Sequence, residues 1–491
     1  MAEYGVNTPV LVGVGAVQQH IEDYERALEP VALMEQALRN AAVDAGSMQL
    51  LSLADEILVP KSLWSYTDPG RLLAASLGAH SATTLLAEFG ILQQSLLTRA
   101  CQRIKDGDAE VILVAGGEAR FRALCAGKAG AEAFETPQNG AEPDITLRPQ
   151  DEMWSSVESD SGLGMPVGYY AILDSALRYK QGLSVDQHRD QMASMYARLS
   201  ELAADNPDAW SDQVVSASHI REHSAANRML AFPYTKLHNS QWNVDQAAGL
   251  ILCSAGVAET LGIERSKWVF PQAFTESNDM SVVASRKDLG ASPGFRVAGQ
   301  VAMTLAGVDF NDIRFCELYS CFPYAVRVQL EEFGLNLNRD VSVTGGMTFG
   351  GGPLNNFALQ ATVKMAQLLR KNPAETGLVT TVSGLLTKQA CALWSANPGV
   401  REWSCADVTD QVREQSDVCE VVSNYTGKGS VAGYTVLHQG SDPWRAVAVF
   451  DLPDGQRTVA YSEDPAMMEA MMTQECCGMS YDVSAGRFQS H

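Results

Sequence analysis

The sequence predicts a duplicated α/β fold with buried sheets, interrupted by an inserted segment and followed by a small, mostly β domain. One observation behind this prediction is a pattern of glycine-containing loop, helix, short turn, buried strand and small-residue turn, which occurs twice along the 491 residues. Another is a change after about Cys405, where short strand-like runs replace the alternation of helices and strands. A repeated unit of this kind buries both faces of its sheets between helices.

Each copy of the repeat pairs an amphipathic helix with a buried strand. In the first copy the helix ends near Gly107, and the apolar run 111–115 is the strand, closed by a glycine turn. In the second copy the helix ends before Pro373, and residues 377–382 are the strand. The helices are predicted from apolar residues at helical spacing: Leu92, Leu96, Ala100 and Ile104, then Phe357, Ala361, Met365 and Leu368.

Between the two copies, residues from about 120 to 243 are predicted to be an inserted loop domain. Residues 130–165 are polar and without periodicity, which indicates a long loop. Two helices follow, and the second begins at Ser184 with Gln187 in the position of a capping box. The insertion is either a lid or binding subdomain or a plain helical elaboration, and the sequence leaves both open.

The C-terminal part is predicted to be a small β-rich domain. Its strand-like runs are followed by a Met-rich helix, and the pair Asp454-Gly455 is a hairpin signal. The runs are 431–438, 446–450 and 458–461. The predicted domains are residues 1–245 with the insertion, 246–404 and 405–491.

Composition excludes several classes of protein. The formal net charge of −22 argues against nonspecific nucleic-acid binding, and an anionic ligand would need a local basic patch or helix N-termini. No apolar run is long enough for a membrane span, and the first residues do not resemble a signal peptide. The ten scattered cysteines fit reduced thiols in a cytoplasm, and their spacing predicts no zinc site.

A candidate site lies where residues 317–323 meet a glycine-rich loop at 344–356. Ser320 and Cys321 are expected where a strand passes to a helix beginning at Pro323. Backbone N–H groups at a helix N-terminus lower a thiol pKa, so Cys321 is a candidate thiolate. Alternatively, Cys321 is a small buried residue and Ser320 an ordinary N-cap.

The glycine loop itself calls for either close backbone approach or positive φ. Its backbone N–H groups could hold a phosphate or an oxyanion, and Asn355 and Asn356 open the following helix. The alternative is a tight glycine corner between packed sheets.

Five stretches carry a resemblance that covers essentially the whole chain: 317–325, 344–357, 377–381 with 386–388, 227–236 and 242–246. Together they resemble the thiolase superfamily, in the branch of thiolase-like acetyl-CoA acetyltransferases with an additional C-terminal β domain. The resemblance implies a layered α-β-α-β-α fold and a coenzyme A (CoA) thioester as substrate. It implies no separate cofactor and no metal.

The resemblance also places the positions that act in ordinary thiolases. The nucleophilic cysteine matches Gly90, the activating histidine matches Gly352, and the second cysteine matches Val382. Relatives often carry histidines where this chain has Gln360 and Gln389. The loop at 319–322 looks closer to the sterol-carrier type of thiolase, which has a cysteine at the position of Cys321.

Acyl transfer needs a nucleophile, a base and oxyanion donors. The predicted catalytic residues are Cys321, Tyr319, Ser320, Asn355, Asn356 and Gln389, and the predicted substrate contacts are Gly351, Gly352, Lys236 and Arg228. Further basic candidates for contacts to CoA are Arg221, Arg286 and Lys287. No histidine aligns with the site, and His238 is expected in a solvated loop.

Two other functions stay open. A retro-aldol lyase acting on acyl-CoA would use Tyr319 as proton carrier, and a non-catalytic protein would only bind CoA. The resemblance also implies a possible homodimer through the core sheets, unless the appended domain blocks it.

Overall fold

A computed structural model describes residues 4–150 and 155–489. Three short ranges lie outside the described residues. They are residues 1–3 at the N-terminus, residues 151–154 in the stretch predicted to be a long loop, and residues 490–491 in the predicted C-terminal domain. Three sheets with flanking helices confirm the predicted α/β halves and the strand-rich C-terminal domain. Across the part of the chain that is described, no helix is long and apolar enough to cross a membrane.

The N-terminal half is built on a six-stranded sheet. Its longest strands are buried along nearly their whole length, as expected for a sheet covered on both faces. In spatial order the strands are Pro9–Gln18, Asp245–Ser254, Val111–Ala119, Glu56–Pro60, Thr83–Ala87 and Ile145–Leu147. The predicted strand at 111–115 is confirmed within Val111–Ala119.

The C-terminal half repeats this plan with a five-stranded sheet. The predicted strand at 377–382 is confirmed as Thr376–Ser383, which pairs in parallel with Ile313–Glu317. The spatial order is Ile313–Glu317, Thr376–Ser383, Lys388–Ser395, Phe270–Ser277 and Ser404–Asp407.

Helices complete five layers. The two predicted helices of the repeat, Gln93–Lys105 and Phe357–Lys371, share one apolar core with residues from both sheets and therefore form the central layer. Pro30–Ala45 and Pro69–Leu77 cover the outer face of the six-stranded sheet. Pro293–Ala306 and Pro323–Phe333 lie in the core beyond the five-stranded sheet. Shorter helices are Gln49–Ser52, Arg120–Lys128, Ala255–Thr260 and Thr409–Glu414.

The inserted segment is more ordered than its sequence suggests. The stretch 130–165, expected to be a loop, contains the strand Ile145–Leu147 and the helix Ser156–Asp160. Elements of three and five residues are too short to show a periodic pattern, so that expectation was wrong at these residues. The two predicted helices are confirmed as Pro166–Lys180 and Val185–Ala204, and a short helix follows at Ala217–Arg221. The capping box of Ser184 and Gln187 is present.

The strand Ile145–Leu147 occupies the outer edge of the six-stranded sheet. It pairs in parallel with Thr83–Ala87. The preceding Asp144 accepts hydrogen bonds from the Thr84 backbone N–H at 2.8 Å and from Arg71 at 2.6 Å. The strand therefore covers the edge of Thr83–Ala87, which would otherwise present unpaired backbone groups to a second chain.

The C-terminal domain is a closed ring of strands attached to the insertion. Thr426–Gln439 pairs with Asp442–Asp451 and with Ser480–Ser484, and the ring is completed by Arg457–Ser462 and Arg487–Gln489. Its helix is Pro465–Thr473. The insertion adds Met229–Ala231 and Tyr234–Thr235 to this sheet, so the C-terminal domain packs against the inserted segment beside the core.

Candidate active site

The strand-to-helix junction around Cys321 forms as predicted. The strand ends at Glu317, the helix starts at Pro323, and Gly334 ends it with φ 64°. Ser320 is not the N-cap, because Phe322 holds that position. Instead the Ser320 hydroxyl accepts a hydrogen bond from the Met347 backbone N–H at 3.0 Å. This bond joins the junction directly to the glycine loop, so the two predicted segments meet.

Glu317 is the second link between these segments. Its buried carboxylate accepts hydrogen bonds from the Val343 and Thr344 backbone N–H groups, both at 2.8 Å, and from the Ser342 hydroxyl at 2.9 Å. Burial raises the Glu317 pKa to about 7 against the opposing effect of these donors. The carboxylate therefore fixes the start of the glycine loop against the strand that leads to Cys321.

Close packing explains the glycines of the loop. A Cβ at Gly345, where φ is 96°, would lie 2.4 Å from the Ala203 side chain. At Gly351, where φ is 102°, it would lie 2.0 Å from Gln246 Oε1. Gly351 does not line the pocket described next, whereas the neighbouring Gly352 does. The loop is therefore both a tight corner and one wall of the site.

A pocket of about 820 Å³ opens onto this junction. Three parts of the chain line it. The core contributes Phe89, Tyr319, Cys321, Met347, Gly352 and Asn355, the insertion contributes Met165, Arg228, Lys236 and Trp242, and the C-terminal domain contributes Leu437, His438 and Trp444. Its size and largely apolar lining are typical of small-molecule sites.

The charges in the pocket are opposite in sign to the charge of the chain. Among the described residues that line it there is no Asp or Glu, and the two cationic side chains are Arg228 and Lys236. Both are exposed at the pocket. In a chain of net charge −22, this arrangement favours an anionic ligand with a large apolar part.

The Cys321 thiol lies in the pocket but is not activated. Burial raises its pKa to about 12, although the Tyr170 hydroxyl and the backbone N–H groups of Cys321 and Phe322 lower it. The expectation of a lowered thiol pKa at the helix N-terminus was therefore wrong, because loss of solvent outweighs the helix N–H groups.

Tyr319 lines the pocket beside Cys321. Its backbone N–H donates to Thr380 Oγ1 at 2.8 Å, and its ring packs edge-on against Phe357. Burial raises the Tyr319 pKa well above its usual value. The phenol therefore stays protonated and can act as a hydrogen-bond donor.

The predicted oxyanion donors do not all reach the pocket. Asn355 lines it and donates to the Lys61 carbonyl at 2.7 Å. Asn356 is buried against Gly116, outside the pocket lining. Gln389 is also outside it and donates to the Leu386 carbonyl at 2.7 Å.

The positions that the resemblance matches to the usual thiolase residues lie in crowded surroundings. Gly90 has φ 95°, and a Cβ there would lie 2.9 Å from Pro149. Val382 is buried and pairs across the sheet with Gln389. At Gly352 a Cβ would lie 3.1 Å from Ser240.

Two histidines differ from expectation. His238 is buried, not solvated; its Nδ1 lies 2.9 Å from the Thr235 hydroxyl, and burial lowers its pKa to about 3. His438 lines the pocket, although no histidine aligns with the site in the sequence. Its Nδ1 lies 3.1 Å from the Val436 carbonyl and so carries the hydrogen, which leaves Nε2 as the basic nitrogen. Burial lowers the His438 pKa, so the ring is neutral at pH 7.

The other basic candidates do not line the pocket. Arg221 pairs with Asp186 and Asp190 on the surface, and Arg286 donates to the Leu385 carbonyl at 2.6 Å. Lys287 is exposed elsewhere. Within the described ranges, no group of three or more His, Cys, Asp or Glu side chains is placed to hold a metal ion.

Comparison with known proteins identifies the architecture. No protein-family model matches the chain. An acetyl-CoA acetyltransferase from Methanocaldococcus jannaschii is 23% identical over 272 residues, which span 54% of this chain and 60% of that protein. The chain thus matches less than two thirds of that relative's length.

Two solved structures show how far the shared fold extends. A monomeric SCP2-thiolase-like protein type 1 from Mycobacterium smegmatis matches 100% of both chains with a TM-score of 0.84 and 24% identity. The Ltp2-ChsH2(DUF35) aldolase matches 80% of this chain and 98% of its own with a TM-score of 0.60 and 17% identity. The full-length match includes the insertion and the C-terminal domain.

Proposed function

Because the chain has the thiolase fold, which its sequence motifs indicate, we propose that it is a thiolase-like acyltransferase that acts on CoA thioesters in the pocket at Cys321. The observation that carries this proposal is the charge of the pocket. Arg228 and Lys236 stand at a largely apolar cavity without a described carboxylate, in a strongly acidic chain. CoA thioesters combine phosphates with an apolar acyl end, and this pocket is complementary to both.

Removing the two cations is expected to weaken CoA binding. A double variant, Arg228→Ala with Lys236→Ala, should bind CoA at least tenfold more weakly, because each phosphate contact to a cation contributes about 1.5–3 kcal/mol. Isothermal titration calorimetry at low salt measures this, and affinity of the unmodified protein should fall as salt rises. The matched control is Arg221→Ala, since Arg221 already pairs with two surface carboxylates. Equal affinity in all three proteins would reject the cationic site.

For the chemical step, we assign the acyl acceptor to Cys321, and His438, the neutral imidazole that lines the same pocket, is the candidate base. Because burial keeps the thiol protonated, its proton must pass to this imidazole while Sγ forms a bond to the thioester carbonyl carbon. The carbon–sulfur bond to CoA then breaks, and the departing CoA thiolate takes the proton from the His438 imidazolium and leaves as free CoA. Tyr319, which stays protonated, donates a hydrogen bond to the carbonyl oxygen. The acyl group passes from Cys321 to a second acceptor.

Replacement of the thiol should abolish acylation. The unmodified protein should gain the mass of one acyl group after incubation with acetyl-CoA, and Cys321→Ala is expected to prevent this gain, measured by intact-mass spectrometry. Cys125→Ala is the control, because that half-exposed thiol lies outside the pocket. Acylation that persists in Cys321→Ala would exclude Cys321 as the acceptor.

A retro-aldol lyase is the second candidate function. It is favoured by the protonated Tyr319 in the pocket and by the fold shared with an aldolase. Under this alternative, Tyr319→Phe abolishes cleavage of a β-hydroxyacyl-CoA, whereas Cys321→Ser leaves cleavage nearly unchanged. Binding of CoA without turnover of any thioester would indicate the third possibility, a non-catalytic CoA-binding protein.

A further inference from the structure

We infer that the C-terminal β domain is the acyl-recognition element of this site, and that the acyl group it selects is bulky and apolar. Leu437 and Trp444 of this domain, facing Met165 and Val167 of the insertion, form the acyl-binding wall. The inference rests on the proposed function, because it takes the ligand to be a CoA thioester.

The wall joins two separate parts of the chain. Trp444 lies near the start of the strand Asp442–Asp451, and Leu437 lies near the end of the neighbouring strand Thr426–Gln439. The insertion reaches this strand pair through Gly162, where a Cβ would lie 3.5 Å from the Trp444 ring. A Cβ on Gly168 would lie 3.0 Å from Leu437. The C-terminal domain and the insertion therefore form one continuous surface on this side of the pocket.

This side of the pocket is apolar where it meets solvent. Trp444 is 40% exposed and Met165 is 62% exposed, and Phe89 and Trp242 are exposed at the same pocket. Contiguous exposed apolar side chains mark a binding surface more often than they serve the fold. An acetyl group is too small to cover them, so the surface fits a larger acyl group.

The phosphates of the ligand are expected to bind at a different part of the pocket from the acyl group. The cations Arg228 and Lys236 belong to the insertion, on either side of the short strands Met229–Ala231 and Tyr234–Thr235. None of the four wall side chains carries a charge, and their polar groups are the Trp444 indole N–H and the weakly accepting Met165 sulfur. The Arg445 guanidinium stacks on the Trp444 ring at 4.5 Å but does not itself line the pocket. Phosphates therefore have a site of their own, and the wall is left for hydrocarbon.

The test measures binding apart from chemistry. S-alkyl-CoA thioethers cannot be cleaved, so calorimetry with CoA and its S-ethyl, S-butyl, S-octyl and S-dodecyl derivatives reports affinity alone. Each methylene that the wall buries should raise affinity, by up to about fourfold. Trp444→Ala should weaken binding of S-dodecyl-CoA at least tenfold and leave CoA itself unchanged, and Trp444→Phe should be intermediate. Met479→Ala is the control, being of similar exposure in the same domain but outside the pocket.

The outcomes separate the two claims. Affinity that is flat with chain length, or a Trp444→Ala protein that behaves like Met479→Ala, overturns the wall while CoA binding still supports the proposed function. Failure of CoA and of every derivative to bind the unmodified protein overturns both. Near-ultraviolet circular dichroism shows that each variant keeps its fold.

Discussion

Asp174→Asn is expected to lower the free energy of unfolding by about 3–5 kcal/mol, because it leaves the buried guanidinium of Arg327 without its counter-charge. Asp174 is fully buried in the insertion and contacts Arg327 directly. It also accepts a hydrogen bond from the Tyr234 hydroxyl at 2.7 Å. Burial opposes ionisation of this carboxyl, yet the Arg327 guanidinium and the Tyr234 hydroxyl hold its pKa well below the usual range.

The cluster leaves His188 neutral. Burial lowers the His188 pKa to about 4, and its Nε2 lies 2.7 Å from Arg327 Nη1, which can only donate. The ion pair is therefore between Asp174 and Arg327. Tyr234 connects this ion pair to the site. Its hydroxyl donates to Asp174 and accepts a hydrogen bond from the Tyr324 backbone N–H, at the start of the helix that follows Cys321.

Urea denaturation followed by near-ultraviolet circular dichroism measures the effect of Asp174→Asn. Asp190→Asn is the matched control, since that exposed carboxylate pairs with Arg221 and should contribute less than about 1 kcal/mol. Adding Arg327→Met to Asp174→Asn should restore part of the loss, because the unpaired charge is then gone. A loss no greater than that of the surface control would show that the buried pair contributes little.

The second large effect concerns Glu317 and pH. The folded-state pKa of about 7 lies above the ordinary value of 4.5, so folding favours the protonated carboxyl. The contribution of Glu317 to the free energy of unfolding is therefore greatest below pH 4.5. It falls as the pH rises from 4.5 to 7 and is constant at higher pH. The change amounts to roughly 3 kcal/mol at about 1.4 kcal/mol per pH unit.

Glu317→Gln removes this titration while keeping the shape of the side chain. The difference in unfolding free energy between unmodified protein and variant should be about 2.5 kcal/mol larger at pH 5 than at pH 8. Comparing the two proteins at each pH cancels the contributions of other titrating groups, which both proteins share. Two such groups are Asp245, whose pKa burial raises to about 6, and His238, whose pKa burial lowers to about 3. A difference that does not change with pH would mean that Glu317 is already ionised throughout.

Local sequence patterns predicted the helices and strands whose formation depends mainly on neighbouring residues. The helices Gln93–Lys105 and Phe357–Lys371 and the buried strands after them follow from the spacing of apolar residues. The junction at Cys321 follows from Pro323 and Gly334, which mark the ends of one helix. The closeness of this junction to the glycine loop was predicted only through the family resemblance.

The features of the site that could not be predicted from the sequence depend on packing between residues far apart in the chain. His438 and Trp444 reach the pocket because the strands of the C-terminal domain pair with those of the insertion, at a large separation in sequence. Tertiary packing also removes water from Cys321 and His238, and burial then outweighs the local effects that can be read from the sequence. The edge strand Ile145–Leu147 carries too few residues for a periodic signal.

The contact between Gly90 and Pro149 limits which changes in sequence can give the chain a nucleophile at position 90. A single change to cysteine meets a ring 2.9 Å from the new Cβ and a backbone at φ 95°, which L-residues with a side chain rarely adopt. Replacing Pro149 alone leaves the dihedral in place, and relaxing the backbone alone leaves the ring. A thiol at this position therefore requires several coordinated substitutions.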